Sequence, residues 1–467
     1  MSVRVVVIGG GPAGYVAALR AAQLGAQVTL VEAQQLGGVC LNVGCIPTKT
    51  LLSSADVFRL VRQAAQFGVR AGEPQVDWPA MQARKQEVVA KLVGGVRLLL
   101  ERAGVTVVEG RARLANPHEV LVEGAAGRQT LAADRMIIAT GSSPQRLPIP
   151  GVDLPGVLDS TDALALQAVP ASLLVVGGGA VGLEFATLYS TLGARVTVVE
   201  MLPRLAPLAD SDVGEGLSLA LTMQGVKVHV RTRITALEAV PGGLRARLAG
   251  PQGESSVEAE KVLLAAGRQP NVEGLGLEAA GVACERKGIR VDERMATSAG
   301  HIYAAGDVVG GAMLAHVGMH QGMVAAENAL GRAARMRYEA VPSCIFTHPE
   351  AASVGLTEEA ARAQGYDLRV GRFPFNGNGK AIAQGEIDGF VKVVAEARYG
   401  AVLGVHVVGP HASDLILEAT LGLSLEVTLD ELAATIHPHP TLSEAVAEGS
   451  LAALGRALHL PMPAKAL

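Results

Sequence analysis

The sequence is short of cysteine, of long hydrophobic runs and of clustered charge, and each shortage excludes a class of protein. Its 467 residues include only four cysteines, too few for the disulfide framework of a secreted domain. No apolar run reaches the roughly 20 residues of a membrane-spanning helix. The 40 Lys and Arg residues nearly balance the 44 Asp and Glu residues, and no basic cluster indicates a nucleic-acid surface. A strand pattern follows Arg4 directly, so we expect no signal peptide, no membrane segment and a cytoplasmic protein.

A glycine-rich turn near the start of the chain lies within a complete βαβ pattern. The β-branched run 5–8 predicts a buried strand, and Gly9-Gly10-Gly11-Pro12-Ala13-Gly14 follows it with the spacing G-x-G-x-x-G. A helical segment and a second strand ending in Glu32 complete the unit. The glycines let a pyrophosphate approach the helix N-terminus, and the acid can accept hydrogen bonds from ribose hydroxyls. The alternative is a plain glycine-rich turn.

The same unit returns later in the chain. At a constant offset of 168 residues, the counterparts of the first glycines and acid are Gly177, Gly179, Gly182 and Glu200. Two dinucleotide sites on one chain indicate electron transfer between two cofactors. The copies differ where Val16 becomes Glu184. This carboxylate either makes a favourable contact with the helix dipole or pairs with a cation at the cofactor, for which Lys49 is the candidate.

The cysteines include one close pair, Cys40 and Cys45. In a regular helix this spacing gives an axial separation of about 7.5 Å, whereas a disulfide needs Cα atoms roughly 4.4–6.8 Å apart. A bridge therefore requires a bend, and Gly44 supplies the freedom for it. Pro47 suits the first turn of a helix, which would place Cys45 where the helix dipole favours a thiolate. We interpret the pair as a redox-active disulfide; the alternative is two buried free cysteines.

Further along the chain, a strand pattern over 301–307 ends in an acid. Asp307 either caps a helix predicted over 312–331 or holds a hydroxyl of a cofactor sugar. His316 and His320 lie four residues apart on that helix. No third ligand is evident, which favours ordinary packing and no metal site.

A last polar motif stands near the C-terminus. The spacing of Thr441 and Glu444 is that of a capping box that opens the final helix. In the other interpretation His439 is an acid–base group, and Glu444 orients its ring and favours its charged form. The local sequence leaves both open.

The assembled motifs resemble the flavoprotein pyridine-nucleotide disulfide oxidoreductases over essentially the whole chain. The most specific segments are 37–49, 347–350, 407–413 and 437–444. The resemblance implies an α/β fold with two Rossmann-like dinucleotide-binding domains, for FAD and NAD, and a C-terminal α+β dimerisation domain. The expected divisions are 1–145 (FAD, first part), 146–268 (NAD), 269–336 (FAD and central, second part) and 337–467 (interface).

The resemblance also implies roles for individual residues. Those expected to bind FAD are Gly9, Gly11, Pro12, Ala13, Gly14, Glu32, Gly38, Lys49, Ala112, Thr140, Gly141, Asp307 and Ala315. Those expected to bind NAD are Gly177, Gly179, Gly182, Glu200, Ile234 and Gly267. The expected catalytic set is Cys40, Cys45, Lys49, Glu184, His439 and Glu444. In this set, Cys40 is expected to be the interchange thiol and Cys45 to face the flavin. His439 is expected to be the base and to come from the partner chain of a homodimer.

Within the family, the chain is most similar to members that oxidise protein-bound dihydrolipoamide with NAD. The implied partners are lipoyl domains and the acyltransferase core of a 2-oxo acid dehydrogenase complex, or the lipoyl carrier of glycine cleavage. Glutathione-type members carry basic residues at the position of Glu200 and prefer NADP. The segment 317–321 departs from the family pattern beside the flavin. Two alternatives from other classes are a zinc-binding protein and a structural subunit, and bound flavin would distinguish the first from an enzyme.

Overall fold

The computed structural model describes residues 2–125 and 127–461, so the last six residues of the predicted C-terminal domain, 462–467, lie outside the described residues. In the described part of the chain, the helices α1 to α13 are Pro12–Gln23, Gly38–Val43, Cys45–Arg62, Trp78–Arg102, Ser160–Leu164, Ala180–Thr191, Ser211–Met223, Ala315–Ala329, Glu358–Ala363, Gly379–Gln384, Ala412–Ser424, Leu429–Ala434 and Glu444–Ala453. Short 3-10 helices cover Ala64–Phe67, Glu278–Ala280, Asp307–Val309 and Phe375–Gly377.

The strands β1 to β25 in the same residues are Arg4–Ile8, Gln27–Glu32, Thr106–Glu109, Arg111–Asn116, Glu119–Gly124, Gly127–Ala132, Arg135–Ile138, Ser142–Pro144, Val157–Leu158, Ser172–Val176, Arg195–Val199, Lys227–His229, Arg233–Val240, Gly243–Gly250, Gly253–Ala259, Lys261–Leu264, Arg268–Pro270, Cys284–Glu285, Gly288–Ile289, Ile302–Ala304, Ser343–Ile345, Glu350–Gly355, Leu368–Pro374, Phe390–Glu396 and Val402–Gly409.

The first glycine turn belongs to a five-stranded parallel sheet of order β20-β7-β1-β2-β3. The two faces of β1 are both buried, as its β-branched sequence predicts. Val5 and Val7 pack with α1, whereas Val6 and Ile8 pack with the small antiparallel sheet β4-β5-β6. Helix α8 packs against α1, so the chain returns to the first unit after it completes the second sheet.

The second glycine turn lies in a parallel sheet of the same design, with order β12-β11-β10-β16-β9. Leu173 and Val175 pack with α6, whereas Leu174 and Val176 pack with the antiparallel sheet β13-β14-β15. The repeat found in the sequence is therefore a repeat of four strands, β3-β2-β1-β7 and β12-β11-β10-β16, with the same helix position and inserted antiparallel sheet. The fifth strands differ in origin, since β20 comes late in the chain and β9 precedes β10.

A two-stranded antiparallel ribbon joins the two parallel sheets. Strand β8 follows β7 of the first sheet, β17 follows β16 of the second, and the two pair with each other. Thr140 and Asn271 strengthen this crossing: the Thr140 hydroxyl donates to the Asn271 carbonyl at 2.8 Å, and the Asn271 amide donates to the Thr140 carbonyl at 3.0 Å.

The C-terminal part of the chain forms an antiparallel sheet of order β21-β22-β25-β24-β23. Helix α11 packs on β22 and β25, and α13 packs on β23 and β24. The fold is therefore α/β with two Rossmann-like units and a C-terminal α+β unit, which confirms the predicted fold class. The predicted domain boundaries remain predictions. No helix in the described residues is long and apolar enough to cross a membrane.

A buried lysine ties the C-terminal sheet to the second Rossmann-like unit. Lys392 on β24 is 2% exposed, and its Nζ lies 2.8 Å from Asp210 Oδ1, 2.8 Å from Glu358 Oε2 and 3.2 Å from Asp212 Oδ2. Asp210 is also the N-cap of α7. The strand alternation around Lys392 does not indicate these long-range partners.

One alternative from the sequence is wrong. Helix α8 begins at Ala315 with Leu314 at its N-cap, three residues later than predicted. Asp307 instead opens a separate 3-10 helix, so it does not cap α8.

Candidate active site

The cysteine pair lies at a break between two helices. Helix α2 ends at Val43, Gly44 takes φ −143° and ψ −112°, and α3 begins at Cys45. A Cβ at Gly44 would lie 2.9 Å from the Val39 carbonyl oxygen, so the bend favours glycine. The bend predicted between the cysteines is confirmed. Both cysteines are free thiols in this structure, so the disulfide remains a prediction.

The two thiols differ in acidity. The pKa of Cys45 is lowered to about 7, chiefly because the Cys40 thiol donates a hydrogen bond to it; Lys49 lowers it further, while burial and Glu184 oppose the change. The same hydrogen bond, with burial, raises the pKa of Cys40. The thiolate of the pair therefore resides on Cys45, at the N-terminus of an 18-residue helix.

A salt bridge beside the cysteines connects the two Rossmann-like units. Lys49 Nζ on α3 lies 2.8 Å and 2.6 Å from the two carboxylate oxygens of Glu184 on α6. Glu184 is 5% exposed, and the Phe346 backbone N–H also donates to it at 3.1 Å. Lys49 lies 4.5 Å from the centre of the Phe346 ring. The predicted Lys49–Glu184 pair is confirmed, and the helix-dipole alternative is not needed to explain this carboxylate.

The first glycine turn is built for close backbone approach. Gly9 has φ +104°, and a Cβ there would lie 2.3 Å from the Ala139 carbonyl oxygen. A Cβ at Gly14 would lie 1.8 Å from the Gly9 carbonyl oxygen. No described side chain caps α1, whose N-cap is Gly11, so its first N–H groups face the turn. This N-terminus fits the pyrophosphate of a dinucleotide.

The second turn repeats this geometry. Gly177 has φ +114°, and a Cβ there would lie 2.4 Å from the Ala265 carbonyl oxygen; a Cβ at Gly182 would lie 2.0 Å from the Gly177 carbonyl oxygen. Gly179, the N-cap of α6, has open space where its side chain would be. The second N-terminus therefore fits a second dinucleotide.

The two acids have a structural task that the sequence analysis missed. Glu32 accepts hydrogen bonds from the backbone N–H groups of Gly10 at 2.6 Å and Gln34 at 2.7 Å. Glu200 does the same with Gly178 and Leu202, both at 2.7 Å. Each acid thus joins the glycine turn to the end of the neighbouring strand. Gly10 and Gly178 have the same offset as Glu32 and Glu200, and this was the available signal for the contact. A residue pattern does not show which backbone N–H groups donate hydrogen bonds.

Other residues predicted for FAD surround the first turn. A Cβ at Gly38 would lie 2.6 Å from Gly11 Cα, and one at Gly306, next to Asp307, would lie 2.9 Å from Ala13 Cβ. Ala112 packs beside β1 and β2 in the same core as Val31. Thr140 and Gly141 lie at the start of the ribbon, and Ala315 is the first residue of α8. Thr140 and Gly306 follow the carboxyl ends of β7 and β20, while Ala112 lies on the face of the sheet that carries Val6 and Ile8.

The predicted NAD residues form a corresponding group. Ile234 on β13 packs with Val176 and Val199, at the ends of the central strands of the second sheet. Gly267 has φ +120° and directly precedes β17. The second group therefore copies the first in position.

The predicted acid–base residues lie together at the start of the last helix. His439 Nδ1 is 2.9 Å from Glu444 Oε1, and the Thr441 backbone N–H donates to Glu444 Oε2 at 2.8 Å. One carboxylate thus both orients the ring and closes the turn before α13. Burial raises the pKa of Glu444, but its bonds with Thr441 and His439 outweigh this effect and lower it. The His439 side chain is 79% exposed within the chain.

His437 has its own partner. Its Nε2 lies 2.8 Å from Glu418 Oε1, and its side chain is 6% exposed. The hydrogen bond to Glu418 raises the pKa of His437. This side chain therefore connects α11 to the loop before α13. Residues 2–125 and 127–461 contain no group of three or more His, Cys, Asp or Glu side chains that could hold a metal ion.

The comparison with known families agrees with this arrangement. Residues 3–322 match the pyridine nucleotide-disulphide oxidoreductase family, and residues 341–449 match the dimerisation domain of the same family. The chain belongs to the pyridine nucleotide-disulphide oxidoreductases. The dimerisation domain supports a homodimer.

Individual relatives cover nearly the whole chain. A dihydrolipoyl dehydrogenase of Thermus scotoductus is 46% identical over 460 residues, which cover 97% of this chain and 98% of the relative. One from Bacillus subtilis is 43% identical over 455 residues, which cover 97% and 99%. Among solved structures, LpdA from Mycobacterium tuberculosis has a TM-score of 0.89 at 32% identity, covering 96% of this chain and 99% of that chain. The HOCl-induced flavoprotein disulfide reductase RclA from Escherichia coli has a TM-score of 0.85 at 29% identity, with 96% and 99% covered.

Proposed function

We propose that this protein oxidises protein-bound dihydrolipoyl groups to lipoyl groups and reduces NAD, with FAD as its resident cofactor. The observation that carries the proposal is the position of the thiols. Cys45 has a pKa of about 7 and lies beside the Lys49–Glu184 pair, which joins the two dinucleotide-binding units. The dihydrolipoyl dehydrogenases among the relatives, similar over nearly their whole length, support the same substrate.

The reaction follows from the chemistry of the thiols. With Cys40 and Cys45 oxidised to a disulfide, His439 removes a proton from the substrate dithiol, and the thiolate attacks the Cys40 sulfur. Cys45 leaves as a thiolate, which its low pKa favours. The second substrate sulfur then displaces Cys40 and closes the product disulfide. FAD, when bound, would transfer the electrons of the reduced cysteine pair to NAD as hydride.

The chain supplies binding groups for each cofactor. The N-terminus of α1 would hold the pyrophosphate of FAD, with Glu32 at its ribose and Asp307 at a sugar hydroxyl. The N-terminus of α6 would hold the pyrophosphate of NAD, with Glu200 at the ribose hydroxyls. A buried carboxylate there disfavours the 2′-phosphate of NADP.

The proposal extends to assembly. The His439 ring is 79% exposed within one chain, so it can contact a second chain. The single chain does not enclose it in a substrate pocket. We infer that each site of a homodimer takes Cys40 from one chain and His439 from the other. The wider partners would be lipoyl domains and the acyltransferase core of a 2-oxo acid complex, or a glycine-cleavage lipoyl carrier, in the cytoplasm. The domains 1–145, 146–268, 269–336 and 337–467 are part of this proposal.

The test of function is a visible spectrum of the purified protein. We expect a yellow protein with bound FAD, whose spectrum changes when dihydrolipoamide is added and returns when NAD follows. A colourless protein that releases no flavin on denaturation contradicts the proposal. If the protein binds flavin and reacts with NADH but not with dihydrolipoamide, the proposed cofactors are correct and the proposed substrate is wrong.

The test of the shared site uses hybrid dimers. One hybrid pairs a Cys40→Ser chain with a His439→Gln chain, and the other carries both changes on one chain. If His439 acts in trans, the first hybrid has one intact site and about half the activity, and the second has almost none. The reverse pattern requires that His439 acts within its own chain.

A further inference from the structure

The ribbon between the two Rossmann-like units carries a partly buried cation that has no place in the proposed reaction. Arg268, the first residue of β17, follows the second sheet, and its side chain is 20% exposed. Its Nε donates to Ser142 Oγ at 2.7 Å, and a terminal nitrogen donates to the Ser142 carbonyl oxygen at 2.7 Å. Both contacts cross from one unit to the other.

Ser142 connects Arg268 to Asp307 of the first unit. It is 2% exposed, and its hydroxyl donates to Asp307 Oδ2 at 2.5 Å. A hydroxyl has one proton to donate, and Arg268 has no acceptor. Because Arg268 occupies a lone pair of the Ser142 oxygen, the proton of Ser142 is directed at Asp307. Arg268 Nε itself lies 3.8 Å from Asp307 Oδ2, beyond hydrogen-bond distance.

We propose that Arg268 is a positioning residue for the flavin: through the Ser142 hydroxyl, it holds the Asp307 carboxylate in the orientation that accepts a hydroxyl of the cofactor sugar. This rests on the role of Asp307 in the proposed function. A residue of the NAD-binding unit thereby fixes a ligand group of the FAD-binding unit. Charged hydrogen bonds in a chain strengthen one another, so loss of either outer member weakens the whole.

The test measures the rate of flavin release from the purified holoenzyme, followed by flavin fluorescence. Ser142→Ala keeps the backbone carbonyl that Arg268 also contacts, so it removes the relay and leaves the ribbon contact. We expect Ser142→Ala and Arg268→Met each to speed release about tenfold, as for one hydrogen bond to a charged group. The double variant should release flavin about as fast as either single variant, because both changes break the same chain.

Two further variants distinguish positioning from general support of the fold. Arg268→Lys keeps a charged donor but cannot bond both Ser142 oxygens at once, so release should fall between wild type and Arg268→Met. Ser143→Ala is the matched control, since the Ser143 hydroxyl donates to Asn271 Oδ1 at 2.7 Å in the same ribbon. It should release flavin at the wild-type rate.

Three outcomes overturn the proposal: release from Ser142→Ala at the wild-type rate, equal acceleration in Ser143→Ala, or additive effects in the double variant. Failure of the proposed function is distinct, because it would appear as a wild-type protein that holds no flavin at all.

Discussion

Replacement of Cys40 should reveal what sets the acidity of Cys45. The pKa of Cys45 falls from 9.0 to about 7 chiefly through the hydrogen bond from Cys40. Serine keeps a donor at position 40 and alanine removes it. Cys40→Ala should therefore return the pKa of Cys45 towards its ordinary value, while Cys40→Ser should hold it lower. Since each pKa unit corresponds to about 1.4 kcal/mol, a change of this size favours the thiolate by roughly 3 kcal/mol.

The assay is alkylation of the thiol by iodoacetamide across a pH series. At pH 7, a thiol with a pKa of about 7 is about half ionised, and one with a pKa of about 9 is about 1% ionised. The midpoint of the rate–pH curve is the readout, because the reactivity of a thiolate also depends on its pKa. Burial raises the pKa of Cys344 to about 11 and also raises that of Cys284, so in the wild-type protein the midpoint near neutral pH belongs to Cys45. In Cys40→Ala the exposed Cys284 reacts in the same pH range, so alkylation is followed at Cys45 itself by peptide mass.

A single outcome refutes this reasoning. If the Cys40→Ala and Cys40→Ser proteins give the same midpoint, the side chain at position 40 does not control the thiolate. The helix N-terminus and Lys49 would then be its main support.

Three further predictions concern the acids, the buried lysine and the base. Glu200→Gln should lower the ratio of kcat/KM for NAD to that for NADP, whereas Glu32→Gln, its counterpart in the first unit, should leave the ratio unchanged and weaken flavin retention. Lys392→Met should lower the free energy of unfolding in urea by about 3–5 kcal/mol, because it leaves the buried Asp210 carboxylate without its cation. His439→Gln should lower turnover of dihydrolipoamide by about 10²–10⁴-fold with FAD still bound, and Glu444→Gln should cost less, since it orients the ring.

Each has a result that contradicts it. If the ratio of kcat/KM for NAD to that for NADP is unchanged in Glu200→Gln, the charge of Glu200 does not select NAD. A urea midpoint equal to wild type in Lys392→Met means that water reaches the carboxylates. If Glu444→Gln lowers the turnover of dihydrolipoamide more than His439→Gln does, turnover depends on the turn before α13 more than on the His439 ring.

The sequence predicted those parts of the fold whose cause is local. Each turn includes a close contact within itself, between Gly14 and Gly9 or between Gly182 and Gly177, so both turns could be located from the glycine spacing. The Lys49–Glu184 pair was predictable for another reason, because the repeat exposed the one position where a buried carboxylate replaced valine. The capping box predicted for Thr441 and Glu444 is wrong, because Ser443 is the N-cap of α13 and the Thr441 hydroxyl donates to the Pro438 carbonyl instead. Only the bond from the Thr441 backbone N–H to Glu444 forms, while the other Glu444 oxygen contacts the His439 ring.

The parts that escaped prediction depend on distant partners. Lys392 lies in an ordinary strand pattern, and its three carboxylates come from another unit and a neighbouring helix. Arg268 follows a recognised strand end, but its contact with Ser142 arises only when the two ribbon strands pair. No window of sequence contains both members of such a contact.

The Lys49–Glu184 salt bridge also has a consequence for how this chain can change over generations. Two copies of one unit could in principle drift apart independently, each keeping its own ligand. Here the second copy contributes the carboxylate that neutralises a lysine of the first, 135 residues away. A substitution at either position therefore affects both units. Neither unit can be exchanged for the corresponding unit of a relative that lacks the matching charge.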